Sequence, residues 1–195
     1  MQREFLYTHP NGVMFRRVEA SDLADLAHLK GESWFGTHRV SLVSDESQER
    51  WLTALDAEDV HAPGNIVLVA AFGEPELDIP APLPRQKHPG LCNIGVFKVL
   101  GIDWQSRRAS VGWDVYRVYR GEGLGKRLVQ AGVDFCFNVL NLHRLQADVL
   151  ATNNASQKCA EAAGFQKDGV QTKAILRCGR WIDNVIYGIV APDPE

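Results

Sequence analysis

The stretch RGEGLG, residues 120–125, decides how this chain is read. Three glycines stand in six residues, flanked by Tyr119, Lys126 and Arg127. Upstream lies a β-rich apolar stretch. Downstream, Leu124, Leu128, Ala131, Phe135, Val139 and Leu142 recur at helical spacing. A strand, a glycine turn and a helix start, in that order, make an anion site. The first-turn amides have no partner inside the helix, and the macrodipole places partial positive charge on them. Glycine lets the backbone approach phosphate oxygens with no Cβ in the way, and Arg120, Lys126 and Arg127 add charge. The plain alternative is a glycine turn that only packs a helix on a sheet.

Spacing argues against two familiar phosphate loops. A P-loop continues Gly-Lys with Ser or Thr, whereas Lys126 is followed by Arg127. A dinucleotide fingerprint opens a parallel βαβ unit with GxGxxG. Here the glycines are spaced differently and follow an antiparallel hairpin, 91–104 and 107–116, joined by Gln105-Ser106.

Outward from the loop, VMFRRVE (13–19) reads as a strand. A helix is expected over 21–35, with Ser21 and Asp22 as N-cap and first turn and Leu23, Leu26, Ala27 and Leu29 at helical spacing. A second is expected over 45–60, with Trp51, Leu52 and Leu55 on one face. The apolar run NIVLVAAF (65–72) reads as a buried strand. The proline-rich segment 73–90 excludes regular structure and reads as a surface loop inserted between two strands. The rest follows as a helix over 123–141, a strand over 145–150 and a short helix over 153–164 opened by Asn and closed by Gly. Two strands, 165–178 and 180–190, turn at Cys178-Gly179-Arg180. The order β-α-α-β-β-β-α-β-α-β-β describes one α/β (α+β) domain over residues 1–195, with a mixed sheet and no internal repeat.

Composition narrows the function classes. The 195 residues are 45% hydrophobic and 23% charged, with a net charge of −3, which gives no bulk attraction to nucleic acid or an anionic membrane. Cys92, Cys136, Cys159 and Cys178 form no CxxC pair, and no His/Cys spacing fits zinc, so no metal is expected. They read as reduced thiols of a cytoplasmic protein. The N-terminus has no signal-peptide pattern. No run approaches the roughly 18 to 20 apolar residues of a membrane span.

With the loop and the downstream segment together, the chain resembles the GNAT acetyltransferases. Arg120-Gly-Glu-Gly123-Leu-Gly125 fits the R/Q-x-x-G-x-G/A pattern of that superfamily. LHRLQADVLATNNASQKCAEAAGF (142–165) is similar to its second signature, a strand ending in Asn, a short helix and a closing Gly-Phe. These phrases and the later Trp181-x-Asp183-x-Val185-x-Tyr187 are most similar to the branch that acetylates ribosomal-protein N-termini. The resemblance covers roughly residues 13 to 190. It implies a mostly antiparallel central sheet flanked by helices. It also implies acetyl-CoA as co-substrate, and a primary amine on a small molecule or peptide as acceptor, attacking directly in a ternary complex. The protein is expected as a monomer or homodimer.

The resemblance also implies site residues. Arg120, Gly121, Glu122, Gly123, Leu124 and Gly125, helped by Lys126, match the loop whose amides bind the CoA pyrophosphate. Trp113, Asp114 and Val115 match the strand that splays from its neighbour and pairs with pantetheine through backbone groups. Such a strand can also offer an amide to the acetyl oxygen. Asn153 matches the Asn ending the next strand. Asp148 matches a strand carboxylate that takes the amine proton in some relatives. The plain alternative is a solvated or ion-paired Asp beside Arg144 or Arg107. Ser156 matches a serine that reprotonates the leaving sulfur, and is otherwise a first-turn helix residue. The position where many relatives carry a tyrosine acid is Ala160. Cys159 and His143-Arg144 read as structural. Trp34, His38 and Arg39 fall where the family binds its acceptor.

Two function classes follow. One is an N-acetyltransferase acting on a protein N-terminus, an amino sugar, an antibiotic or an aminomethyl-modified nucleobase. The other is a catalytically weak acetyl-CoA-binding regulatory module, for which Ala160 speaks. The net charge argues against a nucleic-acid-binding protein.

Overall fold

Phe15, Leu68, Phe97 and Leu145 are fully buried, each at the inward position of a strand. The structure, a computed structural model, describes residues 5–22, 26, 29, 64–73 and 92–192. Its strands are β1 (Tyr7–Thr8), β2 (Val13–Arg17), β3 (Asn65–Phe72), β4 (Cys92–Asp103), β5 (Arg108–Val115), β6 (Arg144–Leu150), β7 (Gln166–Arg177) and β8 (Arg180–Val190). They form one sheet in the order β1-β2-β3-β4-β5-β6-β8-β7. Every neighbouring pair is antiparallel except β5 with β6. β3 is buried on both faces, which is why its sequence runs apolar without alternation.

Two helices follow the parallel pair: α1 (Leu124–Asp134) after β5 and α2 (Asn154–Ala162) after β6. They lie against the sheet face that carries Phe97, Trp113, Ala147 and Tyr187. Gly132 of α1 sits directly on the Phe97 ring. The Tyr187 hydroxyl donates to Glu161 Oε1 at 3.0 Å, tying α2 to β8. The opposite face carries Lys98, Ser110, Asp114, Gln146 and Asp148, at the alternate positions of the same ladder.

Three features depart from the sequence reading. Helix α1 does not stay regular to 141; Phe135–Val139 form a π turn, with Leu140 N–H donating to the Phe135 carbonyl at 3.1 Å. The wider turn rotates the stripe, so Val139 is half exposed instead of buried, while Leu142 keeps its place in the core. Asp22 does not simply open a helix. Ala20–Asp22 form a single 3-10 turn, and the Asp22 carboxylate turns back onto the Arg16 guanidinium at 2.7 and 2.8 Å, both residues buried. Two short residues, Tyr7 and Thr8, add an edge strand that alternation was too brief to reveal. Leu26 and Leu29 are helical and buried as expected. The remainder of 21–35, the helix at 45–60 and residues 74–90 lie outside the described residues.

Gly132→Ala tests the seat of α1. The added methyl meets the Phe97 ring. Overpacking of this kind costs about 1–3 kcal/mol, more than the gain of up to about 1 kcal/mol in helix propensity. Urea unfolding should show a net loss, and Phe97→Leu should restore part of it.

Candidate active site

β5 and β6 pair only through Arg108–Arg144, Ala109–Leu145 and Ser110–Gln146. Beyond Ser110 each strand follows its other neighbour. β5 stays on β4 as far as Gly95–Val115, and β6 stays on β8 along its whole length. Gly95 permits this on the β4 side, because a Cβ there would collide with the Asp114 carbonyl. Lys98 Nζ holds the buried Asp114 carboxylate at 2.5 Å.

At the parting lies a cavity of about 380 Å³. Trp113, Asp114 and Val115 line it from β5; Arg120, Gly121, Gly123, Gly125 and Lys126 from the loop; and Asn153, Ala155, Ser156, Lys158 and Cys159 from the start of α2. The expected strand, loop and Asn are thus brought together. Glu122 and Leu124 do not line it; Leu124 is in the core and contributes to the loop through its amide alone.

The glycines serve different ends. Gly121 and Gly123 have φ of +94° and +77°, a region that L side chains rarely enter, and open space in front of them. Gly125 has ordinary φ, but a Cβ there would stand 3.1 Å from Cys159 Sγ, so it lets α1 and α2 touch. Among the described residues, the amides of 121–125 donate to no protein acceptor. With Lys126 and Lys158 alongside, these amides fit a pyrophosphate. Arg120 Nε donates to the Val115 carbonyl at 2.9 Å, tying the loop to the end of β5. Arg127 is turned away. Its Nη1 reaches the Asn11 carbonyl at 3.4 Å and its guanidinium lies 5.2 Å from the Phe72 ring centroid.

On the α2 side, Asn153 Oδ1 accepts the Ser156 amide at 3.1 Å and caps the helix. The Ser156 backbone is thereby satisfied, and the residue itself lines the cavity. Ala160 is buried away from it. Burial pushes the Cys159 thiol up, against a smaller downward pull from Lys126.

Asp148 is not in the cavity wall. It lies on β6 two residues beyond the last β5–β6 pair, exposed on the sheet face away from α1 and α2, with Gln146 Nε2 donating to it at 3.3 Å. Arg144 is committed to Asp168 at 2.6 Å, and Arg107 to Asn141. His143 uses its backbone, donating its amide to the Arg107 carbonyl and accepting from the Ala191 amide. Trp34, His38 and Arg39 lie outside the described residues. Lys158, Ala155, Gly95 and Lys98 were not anticipated. The first two stand three residues apart in α2, a helical spacing available in the sequence; Gly95 and Lys98 act through register, which is not.

Residues 13–166 match the profile of the acetyltransferase (GNAT) domain. The chain belongs to the GNAT acetyltransferase family. It is 34% identical over 87 residues to Probable N-acetyltransferase YjcK of Bacillus subtilis, covering 45% of this chain and 48% of that one. It is 25% identical over 83 residues to the ribosomal protein uS5 alanine N-acetyltransferase of Escherichia coli, covering 43% of each. The chain thus spans about half the length of the curated relatives it matches. Among solved structures, the spermidine N-acetyltransferase of Vibrio cholerae in complex with CoA and spermine superposes with a TM-score of 0.73 at 20% identity, over 92% of this chain and 96% of that one. That likeness gives the fold. Among the described residues, no helix of this GNAT chain is long and apolar enough to cross a membrane.

The raised Cys159 thiol carries a test. A raised pKa means less thiolate at neutral pH, so iodoacetamide should modify exposed Cys178 well before Cys159. Lys126→Met removes the one downward pull and should slow Cys159 further. Rapid modification of Cys159 at neutral pH would contradict the assignment.

Proposed function

We propose that the chain transfers an acetyl group from acetyl-CoA to a primary amine on a small molecule or peptide, by direct attack in a ternary complex. The observation that carries this is the gap between β5 and β6 with the glycine loop at its mouth. Strand edges left unpaired there need a ligand with amide groups of its own, and the loop needs an anion. Acetyl-CoA offers both, and when bound it supplies the activated acetyl group. Relatives named as N-acetyltransferases, and a fold neighbour bound to CoA and spermine, support the same reading.

Each residue then has a role. The amides of 121–125, with Arg120 and Lys126, hold the pyrophosphate. Trp113–Val115 run along the pantetheine arm and pair with it through backbone groups, and one amide of this stretch donates to the acyl oxygen as negative charge develops on it. Asn153 holds α2 so that Ser156 faces the thioester sulfur, where its hydroxyl donates a hydrogen bond to the leaving thiolate and relays a proton to it from water. Asp148 accepts the amine proton from the opposite face of the sheet, through water if the amine does not reach it. The acceptor therefore enters from the side away from α1 and α2.

Release of CoA thiol from acetyl-CoA across a panel of amines tests the activity; no release with any primary amine would return the chain to a regulatory acetyl-CoA binder. Gly123→Asp, at φ +77° and in the middle of the loop amides, should abolish CoA binding in calorimetry while the circular dichroism stays native. Asp148→Asn should lower the rate most near neutral pH, where an alkylamine of pKa about 10.4 is protonated. The variant should approach the wild-type rate as alkaline buffer supplies the free amine. A deficit of equal size at every pH would remove Asp148 from the proton path.

A further inference from the structure

The β7–β8 hairpin ends on a pair of arginines. Arg177 and Arg180 face each other as the last register pair before the Cys178-Gly179 turn. Like charges directly opposite in a ladder repel, and no Asp or Glu occurs between Gln171 and Ile182. Asp183, the next acid, alternates to the other face, and its Oδ1 is taken by the Lys173 amide at 2.7 Å. Among the described residues neither arginine makes an ion pair.

The Arg177 side chain carries a second signal. Its Nε and Nη2 are shielded from solvent and have no hydrogen-bond partner; among the described residues they alone are so placed. These two N–H groups form one edge of the guanidinium fork. They point the same way and are spaced for two oxygens of one carboxylate or phosphate. A buried charged donor without an acceptor is destabilising, and native structures seldom keep one unless something supplies the acceptor. The residue as a whole is only half-buried, and anion binding at this fork requires its outer stem to turn toward the open side.

We propose that the Nε/Nη2 edge of Arg177, with Arg180 opposite, is an oxyanion site for a carboxylate or phosphate group. Register puts both arginines on the same sheet face as Ile182, Asn184 and Ile186, and across β8 with Asp148. Arg180 stands six positions along β8 from Ile186, the residue opposite Asp148. That is about 20 Å at the rise of a strand. Neither arginine lines the loop cavity, so the site is separate from it and stands or falls independently of acetyl transfer.

The test reads Arg177 alone, which keeps the anion binding of the glycine loop out of the measurement. In the full chain labelled with ¹⁵N, the Arg177 Nε–H signal is assigned by its loss in Arg177→Lys. Inorganic phosphate and acetate are titrated separately at constant ionic strength, with chloride as the control. The signal should shift downfield and saturate with at least one of the two oxyanions. The more strongly bound of them identifies the group as phosphate or carboxylate. Arg180→Gln should weaken that binding roughly tenfold or more, the worth of a charge-assisted hydrogen bond. An Arg177 signal that saturates with neither oxyanion, or moves equally with chloride, would overturn the site.

Discussion

β5 and β6 part after three residue pairs, and the candidate active site exists because they do. A parallel ladder left half-made exposes a row of backbone donors and acceptors on both inner edges. The parting is imposed from outside the pair. β5 is held to β4 by the Gly95–Asp114 approach, by the Lys98–Asp114 ion pair and by the Tyr116 amide on the Ile94 carbonyl at 3.0 Å. β6 is held by seven consecutive register pairs with β8. Each strand has a better partner on its far side, so the gap is a property of the whole sheet and not of the two strands that border it.

The helices turn this gap into a cavity. α1 starts where β5 leaves off and α2 where β6 does, so both helix N-termini arrive at the mouth of the parting. Their close contact depends on Gly125 against Cys159, and the depth to which α1 sinks depends on Gly132 against Phe97. The same contact that lets the N-termini converge also helps bury Cys159, and burial is what pushes its thiol up. Packing and chemistry are linked here by a single missing methyl group.

Charge is divided between the two faces of the sheet. The loop face gathers Arg120, Lys126 and Lys158 around unpartnered amides, a setting for a polyanion. The opposite face carries Asp148 and, at its far end, Arg177 and Arg180. A net charge of −3 conceals this arrangement, because an average over the chain says nothing about which face a residue occupies.

Local signals were legible in the sequence wherever one segment carried them whole. The glycine loop, the Asn153 cap, the β4–β5 hairpin and the apolar run of β3 each depend on neighbours a few residues away, so spacing and side-chain type sufficed to read them. The grouping of loop, strand and Asn153 was readable through family resemblance, since two signatures each named one wall. Features set by register were not readable. Val139 left the core because a π turn shifted the helix phase, and the Asp22 carboxylate pairs with Arg16, six residues back. Gly95, Lys98 and the Arg177–Arg180 pair acquired meaning only from the strand placed opposite them. By itself the sequence determined the order of strand, glycine turn and helix that leads into α1. Only the tertiary structure decided which edges stay unpaired and which charges meet, because those depend on residues far apart in the chain competing for the same neighbours.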